Sequence, residues 1–291
     1  MKKICLLARH ALPAATFLLL ASTLGHALEA HPGDAVAPPP GNGLVGLYYI
    51  HQDLDPLRAK GKDVPGPTAK ADIGLLRLLY ATKLGDWQVN PQVVVPYGKV
   101  KGGGTFSSMG SESGIGDVSL LASVMLVQNP ATRTSVYLLP GVVLDTGAYD
   151  PAKLSIGENR QKYLLQLGAQ TGLAKDWIID GYADITTFGV NKRHPGGELK
   201  DKPLITLQSY LRYAAAPGTE LAAGLRHYSG GESRIAGVNQ GDKIKTTAML
   251  LTASYWMDGK TQLMANWGRD LKTENGFKTS NNIELRAVRV F

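Results

Sequence analysis

The connections between the strand-like segments of this sequence alternate between short and long. The short ones are tight turns, at 85–86, 129–132, 175–176, 217–219 and 258–260. The long ones are polar, glycine-rich loops, at about 53–70, 99–114, 147–160, 190–203, 230–245 and 272–280. This alternation predicts an up-and-down antiparallel barrel with an even number of strands and both chain ends on the short-turn side. A soluble sandwich has no reason to alternate in this way.

About twelve segments read as β-strands. They span roughly 43–52, 71–84, 87–98, 115–128, 133–146, 161–174, 177–189, 204–216, 220–229, 246–257, 261–271 and 281–291. Each can cross a bilayer as a tilted strand, which takes ~9–11 residues. Several of them alternate clearly between apolar and polar residues. In 87–98, one face carries Val89, Val93 and Val95, and the opposite face carries Gln88, Asn90 and Gln92. The chain is therefore expected to be all-β, a transmembrane barrel of about twelve strands. The segments 43–52, 71–84 and 246–257 are apolar on both faces, which leaves their orientation open.

The last strand ends on an aromatic residue, Phe291, with nothing after it. A C-terminal Phe on an alternating strand resembles the signal that outer-membrane barrels offer to their assembly machinery. Arg289 departs from the apolar residue usual two places before the end. The alternative is an ordinary edge strand.

The N-terminal region precedes the predicted barrel of residues 43–291. A basic start, the apolar stretch 11–24 and small residues near Ala27 predict a cleavable signal peptide over 1–27, with cleavage after Ala30 as the alternative. The single cysteine, Cys5, lies inside it. Residues 28–42 form a proline-rich leader. We expect a solvated periplasmic tail here, and the alternative is a small plug for the pore.

Charge and motifs exclude several classes of function. The predicted signal peptide holds three of the 31 basic residues, so 28 basic and 24 acidic residues remain, a net charge of +4. This charge is too small to argue for nucleic-acid binding. After residue 27 no apolar stretch is long enough for a membrane helix. No metal-type Cys/His spacing, cofactor loop or energy-coupling motif is visible, so neither metal nor cofactor is expected.

Three of the four tryptophans flank short turns. Trp87 and Trp177 follow such turns, and Trp256 precedes one. These positions predict an aromatic girdle at the periplasmic headgroup level. Trp267 is not explained in this way.

Several ordered motifs carry a family resemblance. They are Leu75–Tyr80, Ser113–Asp117, Asp145–Asp150, Ile156–Arg160 and Tyr228–Val238. Together, over about residues 38–291, the sequence resembles the outer-membrane barrel family labelled "putative MetA-pathway of phenol degradation". The resemblance implies an uptake channel for small, often apolar molecules, without catalytic residues. Glu158 and Gln161 depart from the expected pattern in the third outer loop.

If the apolar faces meet lipid, the opposite faces line the lumen. The candidates for the lumen and the substrate path are Arg77, Asp117, Asp145, Asp180, Asp184, Arg212, Arg226, Asp270, Glu284, Arg286, Tyr137, Tyr182 and Tyr210. The mixed charges do not favour one ion sign. They either pair with one another or line a path for a polar solute, and the tyrosines either pack or stack on an aromatic substrate. The sequence leaves open whether the lumen is open or filled.

We therefore expect a monomeric outer-membrane channel for passive uptake of small molecules, aromatic or apolar ones among them. Its partners would be the solute, membrane lipid and the assembly machinery. A structural or adhesive barrel without transport is one alternative. Another is an acyl hydrolase, in which His227 would activate Ser229. Glu232, Asn239 and Asp242 are candidates to orient that histidine, although none has a compelling spacing.

Overall fold

A computed structural model describes residues 29–291. The predicted signal peptide and Cys5 lie outside the described residues. Twelve long strands form the barrel: β1 (Gly43–Ala59), β2 (Pro67–Tyr80), β3 (Trp87–Gly104), β4 (Ser119–Asn129), β5 (Thr134–Val143), β6 (Lys162–Ala174), β7 (Trp177–Phe188), β8 (Leu204–Ala216), β9 (Thr219–Gly230), β10 (Ile244–Trp256), β11 (Thr261–Thr273) and β12 (Gly276–Val290).

Each long strand pairs with the next in antiparallel register, and β12 pairs back with β1. The closing pair runs from Leu44 opposite Val290 to Arg58 opposite Gly276. Closure leaves neither side of the barrel with an unpaired strand edge, so backbone groups are satisfied within the wall. The predicted twelve-stranded up-and-down barrel is confirmed.

The short turns lie where the sequence placed them, and their chemistry explains them. Gly85, Gly218 and Gly259 take positive φ angles of 61°, 74° and 71°, which glycine adopts without steric cost. Asp258 Oδ1 accepts hydrogen bonds from the backbone nitrogens of Lys260 and Thr261, at 3.0 and 2.6 Å. We call this the periplasmic end of the barrel and the long-loop end the outer end.

Several strand ends differ from the prediction. β1 and β3 continue to Ala59 and Gly104 because their outer parts pair with β12 and β2 beyond the apolar band. β2 begins and ends about four residues early, and Thr82–Leu84 forms a separate short strand against β3. The outer loops carry further short elements: the strands Lys62–Val64, Ser113–Ile115, Leu199–Asp201, Ser233–Ile235 and Val238–Asn239, and the 3-10 helix Ser107–Met109.

The two ends of the barrel chain meet at the periplasmic end. The Gly43 nitrogen donates to the Phe291 carbonyl at 2.9 Å, and the Phe291 nitrogen donates back at 3.0 Å. The Phe291 side chain is exposed on the outside. Within residues 29–291 no helix is long and apolar enough to cross a membrane.

The outside of the barrel carries the large apolar side chains. Trp87 and Trp177 are exposed beside their short turns, and the Trp177 ring packs 4.8 Å from that of Tyr213. The predicted girdle position of Trp256 was wrong, because this side chain lines the lumen cavity. Trp267 lies partly exposed, and its Nε1 donates to Asn281 Oδ1 at 2.9 Å. Its polar edge is thereby satisfied, which the sequence could not indicate.

Candidate functional site

The inner face of the barrel is divided into two unlike halves. The first six strands contribute an apolar wall, formed by Tyr48, Ile50, Ile73, Leu75, Val94, Leu121, Met125, Tyr137, Leu139 and Leu164. The strands β7 to β12 contribute a polar wall, formed by Asp180, Tyr182, Gln208, Tyr210, Arg212, Arg226, Asn266, Asp270, Glu284 and Arg286. A molecule in the lumen therefore meets mainly hydrocarbon on one side, interrupted by Arg77, Gln92 and Gln166, and hydrogen-bonding groups on the other.

The leader, residues 29–42 as described, lies inside the lumen. At the periplasmic end Gln88 Nε2 donates to the Pro38 carbonyl at 2.8 Å. Deeper in the barrel, the Tyr182 hydroxyl donates to the His31 carbonyl at 2.9 Å and Gln208 Nε2 to the Ala30 carbonyl at 2.7 Å. The expectation of a solvated tail was wrong, and the alternative of a plug describes the structure. A proline-rich segment makes few backbone bonds of its own, so its carbonyls accept from inner-wall donors.

Charged side chains of the leader pair with charges of the wall. His31 Nε2 lies 2.8 Å from Glu284 Oε1, and Asp34 Oδ1 lies 2.7 Å from Arg286 Nη1. Glu29 contacts the Arg226 guanidinium and accepts a 2.8 Å hydrogen bond from the Tyr228 hydroxyl. Removing one partner of a buried ion pair leaves the other charge buried and unpaired, which lowers the stability by about 3–5 kcal/mol. The leader is thus an electrostatic counterpart of the polar wall.

Both central leader residues are charged at neutral pH. Burial alone lowers the pKa of His31, but attraction to the Glu284 carboxylate and hydrogen bonds to Asp34 and Glu284 raise it to about 10. Burial alone raises the pKa of Asp34. Arg286 and the His31 hydrogen bond outweigh that effect and hold this pKa well below its usual range.

Most of the predicted lumen residues lie on the inner face. They are Arg77, Asp180, Asp184, Arg212, Arg226, Asp270, Glu284, Arg286, Tyr137, Tyr182 and Tyr210. Asp180 Oδ2 pairs with Arg212 Nε at 2.7 Å, within the wall. Arg77, Arg226, Glu284 and Arg286 instead meet the leader. The charges therefore pair, but largely with a segment that was expected outside the barrel.

Two predicted lumen residues belong elsewhere. Asp145 is exposed in the loop after β5, because that strand ends at Val143 and not at 146 as predicted. Asp117 is buried at the outer end, where its two carboxylate oxygens accept from the backbone nitrogens of Gly147 and Glu158, each at 2.8 Å. It ties the third outer loop to the barrel.

A cavity of about 170 Å³ lies between the leader and the apolar wall. On the leader side it is bounded by residues such as Val36, Ala37 and Pro38. Gln92 Nε2 and Asn282 Oδ1 are buried along it without a hydrogen-bond partner among the described residues. Sequence reasoning missed Glu29, His31 and Asp34. The signal available was three ionisable residues in a leader otherwise rich in Ala and Pro.

His227, the proposed base of the hydrolase pair, hydrogen-bonds to a neighbouring strand. His227 Nδ1 shares a 2.9 Å hydrogen bond with Thr247 Oγ1. Glu232 pairs with Lys202 at 2.5 Å, and Asp242 accepts from the Ser233 nitrogen at 2.8 Å. Two of the three candidate orienting residues are thus held by other partners. Among residues 29–291 no three His, Cys, Asp or Glu side chains are placed to hold a metal.

Comparison with known proteins connects this geometry to membrane channels. The sequence matches the family model described as "Putative MetA-pathway of phenol degradation" over residues 55–286. The crystal structure of the COG4313 outer membrane channel from Pseudomonas putida F1 is similar at 35% identity and a TM-score of 0.85, covering 90% of this chain and 100% of that one. No match was found among curated proteins.

More distant structures share the barrel fold alone. The transport unit of the Escherichia coli autotransporter AIDA-I has a TM-score of 0.55 at 8% identity, with 95% of this chain and 96% of that chain covered. The beta domain of the Bordetella autotransporter BrkA has a TM-score of 0.51 at 10% identity, with 86% and 99% covered.

Proposed function

The chain belongs to the family described as "Putative MetA-pathway of phenol degradation", and from this premise we propose that it is a passive outer-membrane channel for small molecules with an apolar or aromatic body. The observation that carries the proposal is the apolar wall facing a cavity beside the docked leader. The leader occupies the charges of the polar wall, so the free surface is mainly hydrocarbon.

The volume of the cavity matches a solute with one aromatic ring. An apolar cavity of roughly 150 Å³ can hold one benzene molecule, and this one measures about 170 Å³. Burying a ring against Leu75, Leu121 and Leu139 gains about 25 cal/mol per Å² of apolar area. Arg77, Gln92 and Asn282 add polar groups for a hydroxyl substituent. We propose that the solute slides along the apolar wall with its polar group toward these residues.

The leader is the internal gate in this proposal. It enters from the periplasmic end and is held by ion pairs and hydrogen bonds, so it can leave the lumen without breaking the barrel wall. Passage then needs partial withdrawal of the leader, while the ring-sized cavity holds the solute. No energy source is required. We propose that the channel works as a monomer and that the strand ending at Phe291 is its assembly signal.

Planar-bilayer recordings test the proposal. The refolded barrel should give small conductance steps, and benzoate or phenol should reduce the current in a saturable way. Met125→Gln, a change of similar size on the apolar wall, should weaken this block severalfold. The matched control is Met264→Gln, which changes a buried methionine of β11 outside the cavity. Absence of block and of labelled phenol flux into proteoliposomes would favour a structural barrel without transport.

A further inference from the structure

The cavity ends, toward the outer end, at a cluster of apolar side chains. Gln52 and Asn282 are its last lining residues on β1 and β12. Beyond them, Leu54 and Phe277 are 0% and 1% exposed. We call the set Leu54, Leu57, Val100, Phe106 and Phe277 the outer cluster. It lies between the cavity and the outside of the cell.

Phe106 reaches this cluster because its loop folds back into the barrel. It is 6% exposed, and its ring meets that of Phe277 edge-on at 6.1 Å. Three glycines, Gly102 to Gly104, lie just before Thr105 and Phe106. A Cβ on Gly102 would lie 2.3 Å from the Phe106 carbonyl oxygen, and one on Gly104 would lie 1.8 Å from the Gly66 carbonyl oxygen. The close fold-back therefore requires glycine at both positions.

The neighbouring part of the outer end is closed by buried ion pairs. Arg160 lies 2.9 Å from Glu158 and 2.6 Å from Asp201, and Lys162 lies 2.7 Å from Glu158. The Arg160 guanidinium also stacks 4.6 Å from the centroid of the Phe188 ring. Opening this part would expose or separate several buried charges, so it forms a fixed closure.

The outer cluster can open more easily. The Phe106 backbone makes two hydrogen bonds there, from its nitrogen to the Gly103 carbonyl and from the Met109 nitrogen to its own carbonyl. The neighbouring Thr105 nitrogen donates to the Gly66 carbonyl at 3.0 Å and fixes the loop backbone, so the cluster opens by rotation of the Phe106 side chain. The side-chain contacts are apolar, and an entering apolar solute can replace them.

We propose that Phe106, packed on Phe277, is the selectivity constriction of the outer entrance, admitting uncharged ring-sized solutes, restricting hydrated ions and excluding anionic solutes. An apolar constriction stays dry and therefore opposes charges, whereas an apolar ring keeps its contacts as it passes. This inference rests on the proposed channel function and names its substrate class.

The test uses the full chain with Phe106→Ala, Phe106→Leu and the control Phe188→Ala, which removes an aromatic ring at the ionic closure. Ion conductance should rise severalfold in Phe106→Ala and stay near wild type in the other two. Benzoate added on the outer side should block only Phe106→Ala, whereas benzoate on the periplasmic side should block all of them.

A second background keeps the result interpretable. The same variants are also measured in a chain that carries His31→Ala and Asp34→Ala. These two substitutions release the leader, so that a docked leader cannot mask a change in conductance at the constriction. Unchanged conductance for Phe106→Ala in both backgrounds would overturn the proposal. A rise in conductance without benzoate block from either side would support the constriction and count against a ring-binding site in the lumen. Resistance of the folded barrel to detergent verifies that each variant has assembled.

Discussion

The carboxylate of Asp34 accepts a 2.7 Å hydrogen bond from the guanidinium of Arg286, although 252 residues separate them in the chain. Arg77 lies on the other side of the same carboxylate, at 3.9 Å. One leader residue thus neutralises basic groups from β2 and β12. The docked state of the leader depends on this cluster, which makes its strength measurable by substitution.

Replacing Asp34 by Asn should release the leader. The change removes the carboxylate that hydrogen-bonds to the buried Arg286 guanidinium, and it should shift the balance toward the undocked state by about 3 kcal/mol, roughly a hundredfold. Larger and more frequent openings in single-channel records are expected. Asp258→Asn is the matched control, since Asp258 also pairs with an arginine, Arg289, at 2.6 Å but is exposed. Exposed pairs contribute at most about 1 kcal/mol, so equal effects of the two variants would contradict a docked leader.

Alkaline pH should loosen the leader through His31. Its pKa rises from 6.5 to about 10 on docking, so the protonated form is favoured in the docked state. The contribution is complete below about pH 6.5 and is lost as the pH rises through 10. Groups facing this imidazole include Glu284, Asp34, Arg286 and Tyr48, and the Tyr182 hydroxyl donates to the His31 backbone carbonyl. Open probability measured from pH 6 to 10.5 should therefore increase with pH, and His31→Gln should abolish most of that increase.

Asp117→Ala should free the third outer loop. The substitution leaves two buried backbone N–H groups, those of Gly147 and Glu158, without an acceptor, at a cost of about 1–3 kcal/mol each. Trypsin should then cut faster at Lys153 within that loop. The control is Asp145→Ala, because Asp145 is exposed and close in sequence. Equal cleavage of the two variants would show that Asp117 does not hold the loop.

Gly168→Ala should disturb the apolar wall through Tyr137. The two residues face each other across β5 and β6, and a Cβ on Gly168 would lie 2.3 Å from the Tyr137 ring. The ring must move toward the cavity, so benzoate block should weaken and thermal stability should fall. Gly181→Ala provides the control, since a Cβ there meets nothing within 4 Å. If both variants behave alike, the ring position does not shape the cavity.

The sequence was enough to predict the barrel, because the turn residues and the polar–apolar alternation that define its strands are features of short segments. Arg226 and Tyr210 were correctly expected on inner faces for this reason. The position of the leader could not be predicted in the same way. Its partners, such as Arg286 for Asp34, are distant in sequence, and proline-rich composition fits a tail as well as a plug.

The errors at strand ends have a similar origin. Asp145 was expected inside because alternation seemed to continue past Val143, but the strand stops where the Asp117 carboxylate binds the following loop. Phe106 was assigned to a polar loop because nothing in its neighbourhood alternates. Its burial follows from the glycines that precede it and from Phe277, far along the chain.

The hydrogen bonds between Gly43 and Phe291 impose an order on assembly. β1 can pair with β12 only after the last strand has been made, so the wall closes as a late event. Arg286 and Glu284, which hold Asp34 and His31, belong to that last strand. Docking of the leader therefore requires a closed barrel. A barrel that lacks its final strand would also lack the β12 residues that hold the leader.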